Sequence, residues 1–448
     1  MNNNSSKVEI ALKAADETKA LKIGFGNIDK VAELFKEQFP GQVAVIIADI
    51  NTYRVAGEKV KAILDASGIK QEAPFIFDDE NLYAEYKFVE KLADSFKKHK
   101  AIPIAVGSGT INDLTKLASF QADRRYMCVA TAASMDGYTA FGASITYEGA
   151  KQTFSCPAPL ACLADIEIIS QAPKEMTASG YSDLFAKITA GADWILADAL
   201  NIEPIDAQAW SIVQDGLHDA LADPKGTLNG DKKAINDLTE GLMLGGFAMQ
   251  WSKSSRPASG AEHQFSHLWN MERHTNNGEQ ISHGFQVAIG TLAVTALYEA
   301  MLVSPIEKLD IEACCKAWPT PEELEKEAGE IFKDTDFPQI GILETKAKYA
   351  SKEELAIQLA ALKDNWPTIK ERLSKQVISF DEAKNRLSLV GAPTEPEHIG
   401  LTRKYLRETF VRAQYIRRRF TILDVAVRTG MLEGWLDKLF GKGGIWEI

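Results

Sequence analysis

Between residues 20 and 165 short apolar runs alternate with amphipathic ones, and this alternation leaves few folds open. Leu21-Lys-Ile-Gly24, Val43-Ala-Val-Ile-Ile-Ala48, Pro74-Phe-Ile-Phe77, Ala101-Ile-Pro-Ile-Ala-Val106 and Tyr126-Met-Cys-Val-Ala130 read as buried strands, being short, apolar and closed by Gly, Asp or Thr. Between them Ile28–Phe39, Glu58–Ser67 and Ala84–His99 carry apolar residues at helical spacing. Strands alternating with helices at this spacing predict a parallel, Rossmann-like sheet with crossover helices.

From about residue 170 the pattern becomes helical, with Thr177–Asp198, Asn236–Trp251 and Gln286–Leu302 as buried helices, Ile306–Glu382 as solvent-faced ones and Leu401–Leu439 as a further helical stretch. A chain of 448 residues exceeds one ordinary core. The expectation is an α/β domain over residues 1–168, an all-α domain over 169–448, and a ligand cleft where they meet. The polar start, Met-Asn-Asn-Asn-Ser-Ser-Lys7, reads as frayed and lacks the apolar region of a secretory signal. No run reads as a membrane span. Five cysteines outside any metal-type pairing point to a reducing compartment, so a soluble cytoplasmic protein is expected. A net charge of −12 argues against a nucleic-acid partner, and Arg417-Arg418-Arg419 reads as surface or interdomain salt-bridging.

Four of the seven histidines, His263, His267, His274 and His283, fall in one short region, and neutral imidazole is the commonest metal ligand. His263 and His267 are at i and i+4, which equally suits a packed helical face. Gln264 stands where a metalloprotease motif has its glutamate, which excludes that reading. A distant carboxylate would complete a site. Asp183, near the start of an apolar helix, is either an N-terminal charge or that third ligand. Gly107-Ser108-Gly109-Thr110-Ile111, after a strand and before a helix, suits an approaching phosphate, although a plain strand-to-helix turn has the same form. Asp49 closes a strand as a ribose-binding acid would, or as a cap. Arg54 and Lys59 follow it, leaving NAD and NADP both open. Thr131-Ala-Ala-Ser134-Met-Asp136-Gly137 is either a ligand loop at a strand's carboxyl end or an Asp-Gly turn.

Taken in order, Gly107-Ser-Gly-Thr-Ile-Asn-Asp113, Ser134-Met-Asp-Gly137, Gly180-Tyr-Ser-Asp183, Ser255-Arg-Pro-Ala-Ser-Gly-Ala-Glu-His263-x-x-x-His267, His283-Gly284 and the tail Arg417-x-Arg-Phe-Thr-Ile-Leu423 resemble the glycerol-1-phosphate dehydrogenases. These belong to the superfamily of iron-containing alcohol dehydrogenases, glycerol dehydrogenase and 3-dehydroquinate synthase, and the resemblance implies a dehydroquinate synthase-like fold. It implies Asp183, His263 and His283 as ligands of zinc or nickel. His267 and Asp136 become substrate-contacting catalytic residues, Asp183 touches substrate as well, and Asp49, Gly107–Ile111, Thr131 and Ser134 contact NAD(P). The activity it implies is reduction of dihydroxyacetone phosphate to sn-glycerol 1-phosphate, within phospholipid metabolism, by a cytoplasmic homodimer. Arg256, beside the histidine helix, is the expected partner of the substrate phosphate, and His274 is expected to be a solvated loop residue. One departure is Ala140, where a cofactor-bonding serine is usual, and Thr139 is its only neighbouring hydroxyl. A glycerol dehydrogenase-like enzyme on an unphosphorylated polyol is the nearest rival reading. A dehydroquinate synthase-like cyclising lyase is the other, and Asp rather than Glu at 183 speaks against it.

Overall fold

The computed structural model describes residues 3–79, 82–148 and 150–448. Its first eight strands in chain order are β1 (Ala20–Gly24), β2 (Ala44–Asp49), β3 (Phe75–Phe77), β4 (Ile102–Gly107), β5 (Met127–Ala130), β6 (Ala143–Tyr147), β7 (Ala150–Phe154) and β8 (Ala161–Asp165). Six of them form one sheet in the order β1-β8-β5-β4-β2-β3, every pairing parallel. β6 and β7 form a separate antiparallel hairpin, which the periodicity did not announce. β4, β5 and β8 are almost wholly buried, which is why they read as continuous apolar runs rather than alternating ones. Ile46, Ile104, Val106, Val129 and Leu163 share a core with Ile28, Val31, Leu34, Phe35, Val60 and Leu64 from the flanking helical segments.

The chain divides into two compact units. One takes Met1–Leu184, Gln208–Ser255 and Leu389–Gly391, the other Phe185–Ala207, Arg256–Ser388 and Ala392–Ile448. A cut at 168 falls inside the first unit because two later helices pack onto the sheet unit's loops. In the helix Lys174–Phe185, a Cβ on Gly180 would lie 1.9 Å from the Ala133 carbonyl oxygen. In the helix Lys232–Ser252, a Cβ on Gly246 would lie 2.7 Å from the Asp136 carbonyl oxygen. The stretch expected as one helix from Thr177 is broken at Ala186, and Lys187–Ala199 is a separate helix. Met1 and Asn2 of the expected frayed start lie outside the described residues, but Asn3–Ala14 is helical, a correction to that expectation.

In the second unit the helices Ala261–Met271 and His283–Leu302 pack side by side. Their approach is close because Gly290 has no side chain: a Cβ there would sit 2.5 Å from the Glu262 carbonyl oxygen. His283–Leu302 is long and apolar enough to cross a membrane by length and composition, yet most of it is buried inside the protein as a core helix. Between these helices Thr275–Asn276 and Glu279–Gln280 pair as a small hairpin. Asn277 and Gly278 turn it with φ of 53° and 84°, the Asn-Gly arrangement that matches strand twist. Leu401–Leu439 is not continuous either. It breaks into Arg403–Arg412, a single 3-10 turn, Ile422–Arg428 and Leu432–Phe440, with Arg417 extended at φ −147°. All five cysteines are free: Cys128, Cys156 and Cys162 are buried in the first unit, and Cys314 and Cys315 are half-buried in the second.

Replacing Gly180 with Ala drives a methyl into the backbone of Ala133. The expected loss is about 2–3 kcal/mol of stability, read as a lower urea midpoint, whereas Ala at exposed Gly434, a helical position where the added Cβ would meet nothing within 4 Å, should raise stability by up to about 1 kcal/mol.

Candidate active site

In the first unit the sheet order reverses at one place. β3 lies beyond β2, while β5, β8 and β1 lie beyond β4. The carboxyl ends of β2 and β4 therefore flank a topological switch point, where open α/β sheets bind ligands. Asp49 ends β2 and Gly107 ends β4. The helix Gly109–Gln121 starts there, and no side chain caps it at Ser108, so the first-turn amides of Gly109, Thr110 and Ile111 are suited to an anion. Gly107 admits only hydrogen at its Cα, since a Cβ would lie 2.6 Å from Ile111 Cβ. Its carbonyl accepts from the N–H of buried Thr131 at 3.1 Å, which ties the loop after β5 to that after β4. The Asp49 carboxylate accepts from the Asn51 and Thr52 N–H groups at 2.8 Å through Oδ1. It is a cap whatever else it binds.

The loop that follows β5 is held by a residue the sequence pattern passed over. Lys116 is fully buried on the helix Gly109–Gln121 and donates to the carbonyls of Gly137 and Ala140 at 2.9 Å and of Gly142 at 3.0 Å. Its i,i+3 neighbour Asp113 accepts from the Ser144 N–H at 3.1 Å, and burial raises the pKa of that carboxyl. Thr139 has no exposed surface, and its hydroxyl donates to the Met243 carbonyl at 2.7 Å. It is therefore committed to packing the loop and does not stand in for the serine absent at Ala140. Half-buried Ser134 lies at the head of this loop, where its carbonyl faces the Ser179 hydroxyl at 3.4 Å. The Asp136 N–H donates to Asp183 Oδ2 at 3.1 Å, and Asp183 is buried on the helix that Gly180 brings against the loop. Lys151 on β7 feels the charges of Asp113 and Asp183. Burial lowers its ammonium pKa and the two carboxylates only partly offset this, so a further anion would be welcome there.

In the second unit the rings of His263 and His283 are 5.2 Å apart, and His267 is 6.4 Å from each. His263 Nδ1 is 2.8 Å from Glu262 Oε1, and His283 Nδ1 is 3.2 Å from Ser266 Oγ. Asp183, His263 and His283 each offer one ligand atom, and the three atoms lie within 4.8 Å of one another. One carboxylate and two imidazoles suit a divalent cation that keeps a position open, so the donor set fits a catalytic metal.

Arg256 is not placed as expected. It is 2% exposed, with its guanidinium donating to the carbonyls of Phe420 at 2.8 Å and Asp193 at 2.9 Å, and its Nε lies 3.2 Å from Glu203. That makes it part of the frame behind the histidine helix. Asp193 completes this frame by accepting from the N–H groups of Ala261 and Ile422 and from the Tyr298 hydroxyl. Burial, with the nearby Glu262 carboxylate, pushes its pKa up to about 7. The arginine run divides its work: Arg418 pairs with Glu344 at the surface, while Arg419 donates to the Ser259 carbonyl at 2.7 Å. Burial, then Arg256 and Arg417, lower the Arg419 pKa to about 9. His274 is not merely solvated, since its Nε2 is 2.8 Å from the Ile399 carbonyl oxygen.

A parallel sheet with this switch point and an Asp-His-His donor set suit a metal-dependent dehydrogenase, and comparison with known proteins agrees. Residues 22–173 match the profile of the iron-containing alcohol dehydrogenases. Among solved structures, a probable glycerol dehydrogenase from Sinorhizobium meliloti 1021 superposes with a TM-score of 0.61 at 14% identity, covering 94% of this chain and 97% of that one. NADH-dependent butanol dehydrogenase A from Thermotoga maritima gives a TM-score of 0.57 at 16% identity, with 94% and 96% covered. These two establish the fold. Glycerol-1-phosphate dehydrogenase (NAD(P)+) from Halalkalibacterium halodurans is 34% identical over 63% of this chain and 71% of its own length. The protein of the same name from Bacillus subtilis is 30% identical over 78% and 92%. The chain belongs to the glycerol-1-phosphate dehydrogenase family.

Lys116→Met would leave three loop carbonyls without their donor and Asp113 without its counter-charge. The expected cost is about 3 kcal/mol or more, read by denaturant unfolding, together with faster proteolysis within residues 134–148. An unfolding midpoint equal to that of the parent would remove Lys116 from this role.

Proposed function

We propose that this protein reduces dihydroxyacetone phosphate to sn-glycerol 1-phosphate, reversibly, using NADH or NADPH and one divalent metal. Membership of the family carries the reading, and the three donor atoms within 4.8 Å of one another support it independently. In the same proposal the metal is zinc or nickel, the working form is a cytoplasmic homodimer, and the product serves phospholipid synthesis.

Asp183, His263 and His283 would hold the metal, which supplies Lewis-acid polarisation of a carbonyl oxygen, while the nicotinamide supplies hydride. The remaining work falls to the chain. The amides of Gly109 to Ile111 and the carboxylate of Asp49 orient the dinucleotide at the switch point, with Gly107, Ser108, Thr131 and Ser134 shaping its bed. Asp136 accepts from a substrate hydroxyl. His267 delivers the proton that the C2 oxygen needs as hydride arrives. The phosphate requires a cation, and since Arg256 is built into the frame, Lys151 takes that role. Lys151 is half-buried, and burial lowers its ammonium pKa despite the charges of Asp113 and Asp183, so a bound dianion would favour its charged form.

A metal-reconstituted assay of dihydroxyacetone phosphate reduction, with the product tested by enantiomer-specific enzymes, decides the reading. Turnover giving the 1-phosphate isomer is expected; preference for glycerol, or no net NADH use, would overturn it. His263→Ala should remove bound metal and activity together. Lys151→Met should raise KM for dihydroxyacetone phosphate at least tenfold while leaving activity on unphosphorylated dihydroxyacetone nearly unchanged. Equal effects on both substrates would remove Lys151 from the phosphate site.

A further inference from the structure

The two histidines of the ligand set are each engaged at Nδ1, by partners of different chemistry. His263 meets a carboxylate. Glu262 is fully buried, and its Oε1 accepts from the Gly260 N–H at 2.6 Å and lies 2.8 Å from His263 Nδ1. Its Oε2 is 2.9 Å from the Thr189 hydroxyl. His283 meets a neutral hydroxyl whose proton is already assigned. Ser266 donates to Gln286 Oε1 at 2.9 Å, Gln286 Nε2 donates to Asn270 Oδ1 at 3.1 Å, and Asn270 Nδ2 donates back to Ser266 Oγ at 3.4 Å. The three side chains thus form a closed ring. Reversing both amides reverses its direction but still uses the single Ser266 proton inside it. In either sense Ser266 can only accept from His283.

We propose that Glu262 and the Ser266–Gln286–Asn270 ring are positioning residues that keep the proton of His263 and of His283 on Nδ1, so that each ring presents Nε2 as a bare lone pair to a divalent cation. Imidazole exists in two tautomers, and only the nitrogen without hydrogen can ligate. A site that had to rearrange its tautomers would bind metal more weakly; here the choice is made by the fold before metal arrives. The ring spans both helices, with Ser266 and Asn270 on Ala261–Met271 and Gln286 on His283–Leu302. It therefore also fixes the rotation of one histidine-bearing helix against the other.

The inference rests on the metal reading above, and its test separates the two. Nitrogen-15 spectra of the histidine rings in the metal-free full-length protein should show His263 and His283 protonated on Nδ1. In Ser266→Ala, His283 should shift toward a mixture of tautomers, and zinc affinity measured by competition with a chelator should fall tenfold or more. Ser266→Thr, which keeps the hydroxyl, should restore both. Glu262→Gln should lower zinc affinity similarly while leaving the His283 signal unchanged. Wild-type rings protonated on Nε2, or zinc affinities within twofold of wild type in both Ser266→Ala and Glu262→Gln, would overturn the proposal. Wild-type protein with the expected tautomers but no measurable zinc or nickel binding would instead overturn the metal reading and leave the tautomer assignment standing.

Discussion

A parallel sheet covered on both faces has nowhere to keep polar chemistry except at the ends of its strands, and this constraint organises the first unit. The strand interiors are apolar because helices bury them on either side. The polar residues stand where the strands stop, Asp49 on β2, Thr131 just past β5 and Asp165 on β8, and Gly107 bares the backbone at the end of β4. The last of these shows how general the effect is. Asp165 is buried and accepts from the N–H groups of Gly26, Ile28 and Glu167, closing the turn after β1 and the helix after β8 with a single carboxylate.

Close approach is the second theme, and three glycines carry it. Gly180 and Gly246 bring helices within backbone distance of the loop around Ala133 and Asp136, and Gly290 does the same between the two histidine-bearing helices. Each lies within a helix, where glycine is normally a cost. That cost is tolerated because a side chain would push a functional group out of position: the loop that contacts Asp183 in the first unit, and His263 or His283 in the second. The charged residues behind these contacts, Lys116 and Arg256, serve the same end by closing carbonyls that the irregular backbone leaves open.

The α/β alternation and the ordered motifs were legible in the sequence because both are local: strand length, helical period and glycine-bounded turns need no distant partner. What escaped was set by distant partners. Nothing near Lys116 announces that it meets carbonyls 21 to 26 residues away, and Arg256 reads as an available cation until Phe420, 164 residues on, is seen to accept from it. The break at Ala186 has neither glycine nor proline to mark it. The small hairpin at Asn277-Gly278 is a different case, since its Asn-Gly turn signal is local but is flanked by strands of only two residues each. Ser266, Asn270 and Gln286 look like ordinary helix polar residues, and their spacing acquires meaning only when two helices are set side by side.

The distribution of thiols has a use of its own. Cys128 and Cys162 sit opposite each other on β5 and β8, in the middle of the sheet, with Cys156 also buried nearby in the chain. Cys314 and Cys315 are half-buried on the short helix Ile311–Ala317 of the second unit. An alkylating reagent in native buffer would thus meet two classes of sulfur on two clocks: a fast one governed by fraying of a short helix, and a slow one that runs only when the sheet itself comes apart. The chain carries, without any added label, a separate chemical reporter of opening for each of its two halves.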